Sequence, residues 1–191
     1  MADEFTVIAM VFVVGAIIAP MIIFAARYKK VPPNKAMVVY GRKMLPRHKK
    51  GYMIISGGGK FLLPIVEAYS TLNLNVRELT IDMDVVDLSS EGSKKKIPFK
   101  ATVLYKISSE PNRVDVAAEL LLDKSPKDVD QMAKSMIEGT VSTVLRYSHG
   151  NDFERDWDSL TTFVIYNVNG ELANLGLEIR SFKVHAYGSG G

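Results

Sequence analysis

Residues 5–26 form one unbroken apolar run: 19 of its 22 residues are apolar, and Thr6, Gly15 and Pro20 are the exceptions. At a rise of about 1.5 Å per residue such a helix reaches roughly 33 Å, enough to cross a hydrocarbon core of about 30 Å. One transmembrane helix is predicted. Pro20 removes a backbone donor and is expected to kink it. A hairpin turning at Pro20 would leave a return arm of only six residues, so a single span is expected. Beyond the run the pattern changes. Val31-Pro32-Pro33-Asn34 reads as a short stiff connector, because each proline fixes its φ and disfavours helix before it. Short apolar stretches follow at 36–40, 52–55 and 61–63. Leu72, Leu74 and Val76 then alternate with polar residues, as do Leu79, Ile81, Met83 and Val85. The change of parity between Val76 and Leu79 predicts a bulge or bend. The clearest strand carries Ile97, Phe99, Ala101, Val103, Tyr105 and Ile107 at odd positions, as expected of a sheet with one covered face. Residues 89–93 read as the turn leading into it.

The period then becomes helical. Residues 114–122 form a short amphipathic segment. A longer one opens with Ser125 as N-cap and Pro126 at the first helical position, and keeps its spacing through Val129, Met132, Met136, Val141, Val144 and Leu145 until Gly150. A third carries Leu160, Phe163, Val164, Val168, Leu172 and Leu175, with Gly176 as its stop. A final strand over 177–184 switches parity between Ile179 and Phe182. Strands first, helices next and one strand last give an α+β domain behind one N-terminal transmembrane helix. The expected division is a membrane anchor with its basic flank at 1–30, a linker at 31–35, the domain at 36–187 and a tail at 188–191.

Charge gives the anchor a direction. All 24 Lys and Arg residues follow the apolar run, whereas Asp3 and Glu4 precede it. A cleaved signal peptide would have a basic leader and a shorter apolar stretch, so a retained anchor is expected. Arg27, Lys29 and Lys30 at its exit put the N-terminus outside and the domain in the cytoplasm by the positive-inside rule. The chain has no cysteine, which excludes disulfides, thiolate metal sites, thiol nucleophiles and S-acylation.

Motifs for catalysis fail on inspection. Gly57-Gly58-Gly59-Lys60 lacks both the earlier glycine and the following hydroxyl of a phosphate loop, with Ile54 and Phe61 in those places, and reads as a glycine turn between strands. Ser93-Lys94-Lys95-Lys96 fits S-x-x-K but falls in an expected hairpin turn. His48, His149 and His185 have no partners at metal spacing. The acidic stretch 152–158 offers Asp152 and Glu154 as acid–base candidates without a recognisable pocket, and Asp156 or Asp158 as a helix N-cap explains it more simply. Trp157 reads equally as a core residue or an interfacial ring. No enzyme, cofactor or metal site is expected, and no nucleic-acid fold accompanies the bases.

Two features point to the membrane. Bases crowd the region after the anchor: Arg27, Lys29, Lys30, Lys35, Arg42, Lys43, Arg47, Lys49, Lys50 and Lys60. Arg27, Lys29, Lys30, Lys49 and Lys50 are the candidate headgroup ligands, each worth about 1 kcal/mol beside an anionic surface. The apolar stretch with Phe61, Leu62, Leu63, Ile65 and Val66 is either a buried strand or a loop dipping into the inner leaflet; Pro64 argues against a central strand.

The order of features resembles the SPFH (stomatin–prohibitin–flotillin) domain of flotillins. The resemblance runs through Asn34-Lys35-Ala36-Met37-Val38-Val39-Tyr40-Gly41, the stretch from Gly57 to Pro64, Leu72-Asn73-Leu74 and Glu91-Gly92. It resumes at 117–125, at Ile137-Glu138-Gly139 and at 172–182. It implies a non-enzymatic, SPFH-type scaffold on the inner leaflet of the cell membrane: a large homo-oligomer that organises lipid–protein microdomains, with membrane-protein clients as expected partners beside the anionic lipids that the bases suggest. The stretch with Phe61, Leu62, Leu63, Ile65 and Val66 would then be a membrane-contacting loop. The alternative is a monomeric lipid- or partner-binding tether for a membrane protease or transporter. The chain departs from the family pattern in reading Glu138-Gly139-Thr140 for Glu-Gly-His, and in having Ala2 and no cysteine for acylation. It also reaches Gly191 without the Ala/Glu-rich coiled coil expected after the domain.

Overall fold

The computed structural model describes residues 2–41, 50–63, 66–87, 95–148 and 157–187. Helix α1 (Ala2–Arg27) leads into β1 (Tyr28–Tyr40), β2 (Tyr52–Phe61), β3 (Ala68–Asn73), β4 (Arg77–Asp87) and β5 (Lys95–Ile107). Then come α2 (Pro111–Leu121), α3 (Pro126–Ser148), α4 (Trp157–Ala173) and β6 (Leu177–Tyr187). The α+β order read from the sequence is the observed one. The strands form two three-stranded sheets, β2-β1-β3 and β4-β5-β6. The chain divides into two units, Met1–Thr71 and Leu72–Gly191. The turn at 89–93, Gly150, the acidic residues 152–156, His48, His149 and the tail lie outside the described residues.

In the first unit α1 runs through Pro20 without interruption. The expected connector at 31–35 lies within β1. Val31 pairs with Gly58 and Ala36 with Ser56, so residues 32–35 stand opposite Gly57 alone. Pro32 and Pro33 have no N–H to give the ladder, and β1 bulges away there. The glycines expected as a turn are likewise inside β2. Gly57 and Gly58 hold φ of +80° and +79°, a conformation that follows the bulge and that side-chain-bearing residues rarely adopt. Past the bulge, Ala36, Met37, Val38 and Val39 are all buried, so this stretch of the central strand is covered on both faces. Val31, Met37, Val39 and Leu62 form a small core, with Ile55 packed against it.

The parity change near Val76 has a different origin from a bulge. β3 ends at Asn73, whose side-chain oxygen accepts the Asn75 N–H at 3.0 Å, and β4 begins a separate sheet at Arg77. In the second unit the alternation holds along β5: Phe99, Ala101, Val103, Tyr105 and Ile107 are buried. They pair across with Met83, Ile81 and Leu79 of β4, and with Val184, Phe182, Ile179 and Leu177 of β6. The β6 parity switch is a register slip between Leu104 and Tyr105. Val129, Ala133, Ile137, Val141, Val144 and Leu145 of α3 and Val164, Val168 and Leu172 of α4 are buried in the same unit. Ser125 caps α3 as expected. Its hydroxyl accepts the Asp128 N–H, and the Asp128 carboxylate accepts the Ser125 N–H, each at 3.2 Å. Gly176 ends α4 with φ +72°, and a Cβ there would stand 2.7 Å from the Ala117 nitrogen of α2, so glycine is needed for approach as well as conformation.

One part-buried polar link joins three elements. Tyr105 of β5, 1% exposed, donates its hydroxyl to Asp130 of α3 at 2.5 Å, and Arg77 of β4 donates to the other carboxylate oxygen at 2.5 Å. Burial first, then the hydrogen bond to Asp130 and its negative charge, raise the Tyr105 pKa above the ordinary value; Arg77 opposes this. Folding therefore favours the protonated phenol. That stability is fully present below about pH 10, the ordinary tyrosine pKa, and is lost as pH rises above it. Tyr105→Phe is expected to cost about 0.5–1.5 kcal/mol at pH 7 through the lost hydrogen bond. It should also flatten the alkaline decline in stability, measured by urea titrations between pH 7 and 11.

Candidate membrane-facing site

Where α1 ends, three contacts tie it to the end of β2. Phe24 stacks on Phe61 with ring centroids 4.5 Å apart at 28°. The Leu62 N–H donates to the Arg27 carbonyl at 3.2 Å. Tyr28, the first residue of β1, pairs in register with Phe61. The Arg27 carbonyl belongs to the last turn of α1, where carbonyls lack intrahelical donors, so the strand end supplies one. The Tyr28 hydroxyl lies 2.5 Å from where a Cβ on Gly59 would stand, so this glycine makes room for the ring.

The structure separates the expected loop residues. Leu62 is 6% exposed and belongs to the core with Val31, Met37 and Val39; its side chain fills the space beside β1. Phe61 and Leu63 are half-buried and Val66 is exposed. Ile65 lies outside the described residues. The loop is held shut at its base by a residue that sequence reasoning passed over. Glu67 accepts the Leu63 N–H on its side chain at 3.1 Å, while its own N–H donates to the Leu63 carbonyl at 2.8 Å. Its other carboxylate oxygen faces Lys60 Nζ at 3.6 Å, with the Glu67 side chain 5% exposed. The signal available in the sequence was an isolated acid directly after an apolar run.

The expected headgroup ligands also divide. Arg27, Lys29 and Lys30 cluster at the exit of α1, with both lysines exposed. Lys60, opposite Lys29 in register, turns its ammonium inward to Glu67. Lys50 is exposed at the other end of β2, 5.9 Å from the Tyr52 ring centroid, and Lys49 lies outside the described residues. The ten residues of β2 extend roughly 30 Å at about 3.3 Å per residue, several Debye lengths at physiological salt. Lys50 therefore stands apart from Lys29 and Lys30 along the ladder. Among the described residues no group of three or more His, Cys, Asp or Glu side chains could hold a metal.

An apolar helix with a basic exit, joined to two antiparallel sheets and a set of amphipathic helices, defines a membrane-linked domain class. Residues 29–187 match the SPFH domain / Band 7 family, and the chain belongs to it. It is similar to the flotillin-like protein FloT of Bacillus subtilis, 27% identical over 176 residues that cover 88% of this chain and 34% of that protein. It is also similar to flotillin-1 of Carassius auratus (25% over 155 residues, covering 80% and 34%) and of Homo sapiens (20% over the same length and shares). The chain thus spans about a third of the length of these relatives.

Glu67→Gln keeps the shape of the clasp and removes its charge, leaving the Lys60 ammonium buried without a counter-charge. We expect a loss of about 1–3 kcal/mol in urea titrations of the detergent-solubilised chain. Adding Lys60→Met should recover most of that loss.

Proposed function

We propose that this protein is a membrane-anchored scaffold that acts without catalysis. In this reading α1 crosses the cell membrane once, the N-terminus is outside, and the SPFH domains associate with one another on the cytoplasmic leaflet to organise microdomains and hold membrane-protein clients. One observation carries it: α1 is an uncovered apolar helix joined to this domain. Thr6–Arg27 has a mean hydropathy of 2.9 and no part of it is buried in the protein. A dozen large apolar side chains of α1 are between 47% and 76% exposed. Each is worth about 1.5–3 kcal/mol on leaving water, so the helix stands to gain more than the 5–15 kcal/mol that holds a typical domain folded. An anchored domain is confined to two dimensions, where even weak contacts between copies are strengthened by local concentration.

Phe61, stacked on the last turns of α1, and Leu63, Ile65 and Val66 would then meet the interface. Lys29 and Lys30 would meet anionic headgroups, at about 1 kcal/mol each. The mass of the full chain in mild detergent, by light scattering coupled to chromatography, tests the scaffold. A discrete assembly of many subunits is expected. A monomer both in detergent and in anionic bilayers would overturn the scaffold and leave the monomeric tether. The double variant Lys29→Glu, Lys30→Glu should keep the assembled mass but lose enrichment of anionic lipid among co-purifying lipids, measured by mass spectrometry.

A further inference from the structure

The second sheet has two long edges that carry opposite charge. In the order β4-β5-β6, β4 and β6 each pair with β5 alone among the described residues. Each is 11 residues long and contains no proline. Edge strands in natural proteins are usually short or interrupted, because unpaired N–H and C=O groups are a template for another strand. Neither strand is short, and β4 pairs with β5 without a break, whereas β6 bulges at Arg180 and at His185.

Along β4 the inward positions Leu79, Ile81 and Val85 are buried, while Glu78, Thr80, Asp82 and Asp84 face solvent. The strand's only base, Arg77, is turned to Asp130. Along β6 the exposed positions are Arg180, Lys183 and His185. Its single acid, Glu178, is already engaged by Arg180 at 2.9 Å and Lys106 at 3.4 Å. Asp82 meets Lys100 of β5 at 3.0 Å, but with side chains 60% and 54% exposed that pair is weak and leaves the carboxylate accessible. One edge is therefore acidic and the other basic.

We propose that β4 of one copy pairs with β6 of the next, so that the sheet continues from subunit to subunit; this rests on the self-association proposed above and names its surface. Like edges repel: β4 against β4 opposes carboxylates, and β6 against β6 opposes Arg180 and Lys183. β4 and β6 both run antiparallel to β5, so repetition of one subunit in a continuous sheet joins them in parallel. Such a contact uses different patches on its two sides. It propagates into a ring or filament and does not close as a two-fold dimer.

The test uses the full chain in mild detergent, with mass read by light scattering. Reversing β4 (Glu78→Lys, Asp82→Lys, Asp84→Lys) gives a chain with two basic edges; reversing β6 (Arg180→Glu, Lys183→Glu) gives one with two acidic edges. Each alone is expected to fall to the monomer mass, an equimolar mixture to reassemble, and a chain with all five changes to assemble with itself. Wild-type-like assembly of either single-edge variant would overturn the edge contact while sparing the scaffold. An unassembled wild type would overturn both. A second measurement does not depend on charge reversal. The chain has no cysteine, so Thr80→Cys and Lys183→Cys copies can be mixed and treated with a short bismaleimide. Cross-links between the two kinds of copy are expected; cross-links only between like copies, or none, would overturn the proposal.

Discussion

The constraint on which the rest depends is that α1 cannot remain in water. Its backbone donors and acceptors are satisfied within the helix, and its side chains are almost all apolar, which suits hydrocarbon and no aqueous environment. This fixes what its last turn must do. The Phe24–Phe61 stack, the Arg27–Leu62 hydrogen bond and the Tyr28–Phe61 pair join the helix exit directly to the β1–β2 ladder. No flexible linker intervenes, so the exposed lysines at 29 and 30 are held within two or three residues of the anchor.

That arrangement explains why Glu67 matters. Opening the chain between Leu63 and Glu67 would pull Leu62 out of the small core of the first unit. The Leu63 N–H bond to the Glu67 carboxylate and the Glu67 N–H bond to the Leu63 carbonyl, with the Lys60 ion pair behind them, close the loop at its base. Leu62 then stays inside while Val66 stays out. A charge pair is a suitable clasp here because it is mostly screened from water, where its attraction is far less diluted than on an open surface.

The second unit solves a different problem. A three-stranded sheet is covered on one face by helices, and one polar link, Tyr105 and Arg77 on the two oxygens of Asp130, ties α3 to β4 and β5. Sliding α3 along β4 and β5 would break both bonds at once. Among the described residues, β4 and β6 at the two edges of the sheet pair with β5 alone.

The elements were largely legible in advance because they follow from local pattern. The apolar run of α1, the odd-position alternation of β5, the Ser125 cap and the Gly176 stop each state their structure within a few residues. What failed to read correctly depended on a partner strand. Pro32 and Pro33 looked like a connector and Gly57 to Gly59 like a turn, yet they face one another in a bulged ladder, and only the pairing decides that each tolerates the other. Leu62 could not be assigned to core or membrane from an apolar stretch whose period is ambiguous. The bases from Arg27 to Lys60 look like one crowd in sequence, yet the ladder sets Lys60 opposite Lys29 and leaves Lys50 at the other end of β2. The sequence by itself determined a long apolar helix, its basic exit, an α+β domain and the family it resembles, because periodicity and composition act locally. The tertiary structure alone decided which side of the loop is buried, that Glu67 and Lys60 close it, and that opposite charges lie on opposite edges of one sheet, because those are relations between residues far apart along the chain.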